Sequence, residues 1–284
     1  MDALRASYGE PSSDSDSDSD LTRLPDPTQT ITLLPPPPLS LLQPPNSLGA
    51  FDLPVQSSQS NRVRSFPHVD GNYALHVYIP VTVPLTPRKE LALFLKRVAT
   101  LVPELHVVDI DIPLNSLIKD EQKFEQVVLG KVFHVSLGRT VPIRVHQRDS
   151  VVAMLRQRLQ AHRRYWIDFK KWEVFVNDDC TRTFLSMEVT AGGLAEIKKQ
   201  IESVNEVYKL HNLPEFYKDP RPHISIAWAV GDISNHLKRV IGEEMKRLDT
   251  IRGSSQKRNF TCVFNGVTCK IGQKTFEICK VQEE

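Results

Sequence analysis

No run in the 284-residue sequence approaches the roughly eighteen apolar residues that a membrane-crossing helix requires, and no basic-then-apolar leader opens the chain. A membrane span and a secretory signal are therefore not expected, and an intracellular protein is. Cysteine is sparse: Cys180, Cys262, Cys269 and Cys279 form no Cys-x-x-Cys pair, which argues against a zinc ribbon and for reduced, packed thiols in a reducing compartment. No Gly-x-Ser-x-Gly elbow occurs, so a serine nucleophile of the acyl-hydrolase kind is not expected. Basic residues are scarce at the start. Residues 1–65 hold four Lys and Arg against eight Asp and Glu, with ten of the twenty prolines, so residues 66–284 keep 32 basic and 26 acidic side chains, an excess of +6. That excess suits the second part to a phosphate-bearing partner.

The opening 65 residues read as a disordered tail. PSSDSDSDSD over 11–20 has almost nothing to bury and offers serines that acidophilic kinases could phosphorylate. ITLLPPPPLSLLQPP over 31–45 favours polyproline II, as a stiff spacer or as a dock for protein partners. Regular patterning begins at Tyr73 to Ile79, an alternating strand on which His76 reads as structural. A helix over 88–101 follows, with Leu91, Leu95 and Val98 on one face, Thr86 as cap and Pro87 in the first turn. Then come a strand from Leu105 to Ile110 and a polar loop from Asp111 to Gln126. A second helix over 149–162 would be capped by Asp149 or Ser150. Strands over 171–177 and 182–190 flank Asp178-Asp179 as a hairpin, and Leu194, Ile197, Ile201, Val204 and Tyr208 give the cleanest helical spacing. A helix over 234–248 with Ser234 as cap, a basic loop over 252–258 and two or three final strands complete the chain. Asn265-Gly266 and Gly272 are rival hairpin turns, and the choice decides whether Cys262 faces Cys269.

Two segments carry chemistry. Phe133-His134-Val135-Ser136-Leu137 and Pro222-His223-Ile224-Ser225-Ile226-Ala227-Trp228 each place His and Ser two apart, so on an extended strand both project from one face while apolar neighbours turn to a core. His, apolar, Ser, apolar should follow a given His about one time in a hundred at ordinary frequencies, and two copies are far rarer. The copies lie 89 residues apart, in halves spanning 66–140 and 165–284 that each run through strands and helices. The expected fold is α+β: two pseudo-symmetric lobes, each a mostly antiparallel sheet with outer helices, around a central cleft, all within a domain over 66–284.

Two imidazoles across a cleft can deliver and remove protons at a phosphodiester, because the His pKa lies near neutrality. An RNA ribose supplies its own nucleophile, the 2′-hydroxyl, and expulsion of the 5′-oxygen leaves a 2′,3′-cyclic phosphate. Serine hydroxyls can hydrogen-bond the non-bridging oxygens as charge builds. A lone His-x-Ser is more often surface decoration; duplication changes that balance. Zinc would need a third ligand in register, and no adjacent Asp, Glu or Cys supplies one, so no metal and no cofactor is expected.

At these residues the sequence resembles the two-histidine phosphoesterases. Thr181-Arg182-Thr183-Phe184, Glu188-Val189-Thr190, Phe216-Tyr217-Lys218-Asp219-Pro220, the second His-x-Ser strand and Val230-Gly231-Asp232 narrow the resemblance, over about 66–284, to the U6 small nuclear RNA phosphodiesterase branch. The resemblance implies a nuclear, metal-independent 3′-to-5′ exoribonuclease, here a monomer, that trims terminal uridines or adenosines from U6 RNA. It implies His134 and His223 as the acid/base pair, Ser136 and Ser225 as phosphate-holding groups and Tyr217 as a base-stacking platform. Pro222 departs from an ordinary strand start by removing a backbone donor. The competing functions are a cyclic or 2′-5′ phosphodiesterase on the same scaffold, and a non-catalytic RNA-binding protein.

Overall fold

The computed structural model describes residues 66–67, 69–160, 163–252 and 259–281. The expectations for the Ser-Asp and Pro-rich tail, and for most of the basic loop after Ile251, lie outside these residues. The described residues fall within one compact unit.

The first strand, β1 (Asn72–Thr82), is the axis of one sheet. Leu75, Val77, Ile79 and Val81 are buried while the residues between them are not, as alternation requires of a sheet with one face on a core. Along one edge β1 pairs antiparallel with β4 (Val141–Arg144) and then β3 (Val132–Ser136); along the other it pairs with β9 (Gly266–Ile271), which pairs with β10 (Lys274–Lys280). The second sheet runs β2 (His106–Val107), β7 (His223–Val230), β6 (Arg182–Val189), β5 (Trp166–Val176), β8 (Phe260–Val263), again antiparallel throughout. Helices α1 (Leu85–Leu101), α4 (Arg148–Leu159), α5 (Leu194–Leu210) and α6 (Ser234–Arg252) bury the apolar faces that their spacing marked, including Leu91, Leu95 and Val98 on α1 and Ile197, Ile201, Val204 and Tyr208 on α5. The α+β architecture of two antiparallel sheets with helices is as expected.

Its wiring is not. The two halves exchange strands: β2, from the first half, joins the second sheet, while β9 and β10, from the C-terminal end, complete the first. The crossing falls at Gly266, whose φ of 145° and approach to the Cys279 carbonyl leave no room for a Cβ. Gly272, at φ 58°, makes the β9–β10 turn, so Cys262 and Cys269 sit in different sheets and the four cysteines are free thiols. Cys180 is exposed in the β5–β6 turn at φ 52°, not packed.

Several local expectations are corrected. The strand over 105–110 shrinks to two residues because Asp109 adopts φ 69° and turns the chain. The loop after it contains the short helices α2 (Leu114–Leu117) and α3 (Glu121–Phe124) and a wide π turn over Glu125–Leu129, with Asp120 capping α3 through Oδ1 to the Lys123 N–H at 2.9 Å. α1 begins at Leu85, leaving Thr86 inside it rather than capping it. α4 ends at Leu159; neither Asp149 nor Ser150 caps it, since Asp149 pairs with Arg148 in its first turn. α6 is capped by Asp232, whose Oδ1 accepts from the Ser234 N–H at 2.9 Å.

Candidate active site

The two sheets meet where β3, an edge strand, comes alongside β7. β2 covers β7 only at Ala227 and Trp228, so the His223 end of that strand is left open to the other sheet. On β3, Phe133 and Val135 are buried and His134 and Ser136 project the other way; on β7, Ile224 and Ile226 are buried and His223 and Ser225 project. All four polar side chains line one cleft of about 590 Å³, together with Asp109, Arg139, Asp178, Arg182, Tyr217 and Trp228. The convergence that the duplicated motif predicts is therefore present.

Each imidazole is held differently. His223 Nδ1 lies 2.7 Å from the Arg221 carbonyl, which can only accept, so Nδ1 carries the proton and Nε2 keeps its lone pair in the neutral ring. Phe175 stacks on the same ring, 3.9 Å between centroids and 14° from parallel. Arg221 is itself clamped, Nε to Glu188 Oε1 at 2.6 Å and Nη2 to Glu188 Oε2 and Glu173 Oε2 at 2.7 Å. Burial pushes the Glu173 carboxyl up, but hydrogen bonds from Lys171 and Arg221 outweigh it and bring the pKa down to about 2. Pro222 needs no backbone donor, because it precedes β7 and contributes its carbonyl to the Val189 N–H at 2.9 Å. Burial lowers the pKa of both His134 and His223; the Asp109 carboxylate opposes this at His134, while Lys131 reinforces it.

Tyr217 stands half exposed at the cleft rim with the Arg139 guanidinium 4.1 Å from its ring centroid. Arg139 also pairs with Asp178 at 2.9 Å, and the Tyr217 hydroxyl lies 3.3 Å from the same carboxylate. One face of the expected stacking platform is thus occupied by an arginine from the other sheet's loop.

Sequence reasoning missed three contributors. His76, read as structural, lies 3.0 Å through Nε2 from Ser136 Oγ and 5.0 Å, edge to face, from the His134 ring. Asp109 reaches the cleft through its left-handed backbone, and Lys131 ties that loop to the base of β3 by donating to the Val108 carbonyl and Asp109. Only the His76 position was available to pattern reading, since period two places it on the face of Tyr78; its partner depends on register.

Two antiparallel sheets presenting paired His-x-Ser strands to one cleft are the arrangement that the resemblance to the two-histidine phosphoesterases implies. The profile of the HVSL family, described as an uncharacterised conserved protein, matches residues 35–279. The mouse protein named U6 snRNA phosphodiesterase 1 is 31% identical over 223 residues, 78% of this chain and 74% of that one, and its Xenopus laevis namesake is 30% identical over 253 residues, 88% and 90%. Among solved structures, Usb1 of Kluyveromyces marxianus superposes with a TM-score of 0.51 at 16% identity, covering 72% of this chain and 97% of that one, a likeness of fold. The chain belongs to the HVSL family and is a relative of the U6 snRNA phosphodiesterases.

Proposed function

We propose that the protein is an RNA phosphodiesterase that removes nucleotides from a 3′ end by internal transesterification, with U6 small nuclear RNA as substrate and the nucleus as its place of action. The observation that carries the reading is the convergence of His134, Ser136, His223 and Ser225 on one cleft from two sheets. The names of the relatives supply the RNA.

His223 is suited to be the base. With its Nδ1 proton spent on the Arg221 carbonyl, Nε2 can take the proton from the 2′-hydroxyl of the penultimate ribose. That oxygen attacks the adjacent phosphorus, and His134 in its protonated form, which burial disfavours and the Asp109 carboxylate partly restores, gives its proton to the departing 5′-oxygen. Ser136 and Ser225 donate to the non-bridging oxygens, and Tyr217 stacks the terminal base on the ring face that Arg139 leaves free. The product end is a 2′,3′-cyclic phosphate. No step needs a metal ion. The catalytic domain in this reading spans residues 66–284, acting as a monomer, with the Pro-rich tail left for protein partners.

Mass analysis of the RNA 3′ end after digestion reports polarity, reaction class and end chemistry together. The expected product is shortened by whole nucleotides and ends in a cyclic phosphate, with EDTA without effect. His134→Ala and His223→Ala should each fold and lose turnover by about 10² to 10⁴. An RNA with a 2′-deoxy penultimate ribose should resist; its cleavage at full rate would exclude internal attack.

A further inference from the structure

The hydroxyls of Ser136 and Ser225 are not free rotors. Behind Ser136, on the neighbouring strand β1, lies His76, with Nε2 at 3.0 Å from Ser136 Oγ. The other sheet repeats the arrangement. Ser186, fully buried on the adjacent strand β6, lies 3.1 Å from Ser225 Oγ, and a bulge between Leu185 and Ser186 brings the two into register. Each hydroxyl of the repeated motif thus has a polar side chain supplied from the next strand, away from the cleft.

We infer that His76 is a positioning residue: its Nε2–H donates to Ser136 Oγ, so that the single hydroxyl proton of Ser136 is directed to the phosphate. The inference rests on the reading of Ser136 as a phosphate-holding group. The opposite polarity would spend the Ser136 proton inward and turn an oxygen lone pair toward an anionic phosphate, weakening the site where charge develops. The proposed polarity needs a neutral ring protonated at Nε2, and burial, with the neighbouring His134, keeps His76 from taking a second proton.

Two substitutions separate donation from ring packing. His76→Gln keeps an N–H donor of similar reach but loses the ring; His76→Phe keeps the edge contact to His134 and loses the donor. With the full-length protein and an oligouridylate substrate, His76→Phe should lower kcat by roughly 10- to 100-fold with KM little changed, while His76→Gln stays within a few-fold of wild type. In a Ser136→Ala background His76→Phe should cost nothing further, because the proton it directs is gone. Equal losses for Phe in both backgrounds, or activity kept by Phe and lost by Gln, would overturn the inference and leave the site reading intact. Ser136→Ala with unimpaired turnover would instead remove the site reading, and this inference with it. Urea unfolding of each variant identifies any loss that comes from unfolding.

Discussion

At the scale of the residue, three imidazoles share a burial problem. His76 is lowered to about 3, chiefly by desolvation and then by His134, and burial also lowers His134 and His223. At neutral pH these rings are neutral folded or unfolded and their protons cost nothing. Below 6.5 the unfolded chain takes up a proton that the folded one resists, so stability falls as pH falls, by up to about 1.4 kcal/mol per pH unit for each such group, until His76 protonates near pH 3. Glu173 acts in the same direction lower down: its carboxyl is stabilised above its ordinary 4.5, and that contribution is lost as pH drops toward about 2. Urea unfolding at pH 7 and pH 5 should therefore show a clear loss at pH 5, smaller in His76→Phe; an unchanged midpoint would contradict the burial of the rings. In the proposed function, activity follows His134 and His223. Because kcat/KM reports the free enzyme, its pH profile should be bell-shaped with a maximum below pH 6.5, and a maximum above pH 7 would count against His134 and His223 as the titrating pair.

At the scale of the element, β3 and β7 show why pattern reading succeeded where it did. Both alternate through the His-x-Ser stretch itself, so one residue's orientation fixes the next, and Phe133, Val135, Ile224 and Ile226 are buried as the alternation requires. Elements set by backbone conformation were less legible. β2 ends because Asp109 enters the left-handed region, and Cys180 turns outward for the same reason; no apolar period announces either. The switch of the chain from one sheet to the other after β8 depends on Gly266, the only residue type that fits a φ of 145° against the Cys279 carbonyl. Gly266→Ala should destabilise the fold by about 2 kcal/mol or more, read from the urea midpoint, from a strained backbone and a steric overlap together. A neutral effect would mean that β9 and β10 can be re-seated without that crossing.

At the scale of the whole molecule, the exchange of strands makes each sheet dependent on distant sequence. The first sheet cannot be completed until the last strands of the chain arrive, and β2 reaches back to cover β7. At the cleft mouth, Arg139 from the loop after β3 holds Asp178 in the β5–β6 turn and lies over Tyr217, joining the two sheets beside the site. The basic excess of +6 in residues 66–284 belongs to this scale too, as a field that attracts polyanions. Subsaturating kcat/KM on single-stranded RNA should fall with salt, with a log–log slope of about −0.7 for each phosphate contacted. A flat dependence would mean that the excess charge does not touch the substrate.

By itself the sequence determined which strands present a His and a Ser together and from which face, because a period of two is a local property of an extended backbone. It also determined the helical faces that α1, α4, α5 and α6 bury, since spacings of three and four are equally local. Tertiary structure alone decided that His76 stands behind Ser136, that Ser186 meets Ser225 across a bulge, and that Arg139 covers Tyr217. Those contacts join residues 39 to 78 positions apart in the chain, and register and sheet order, which no local pattern encodes, bring them within hydrogen-bonding or stacking reach.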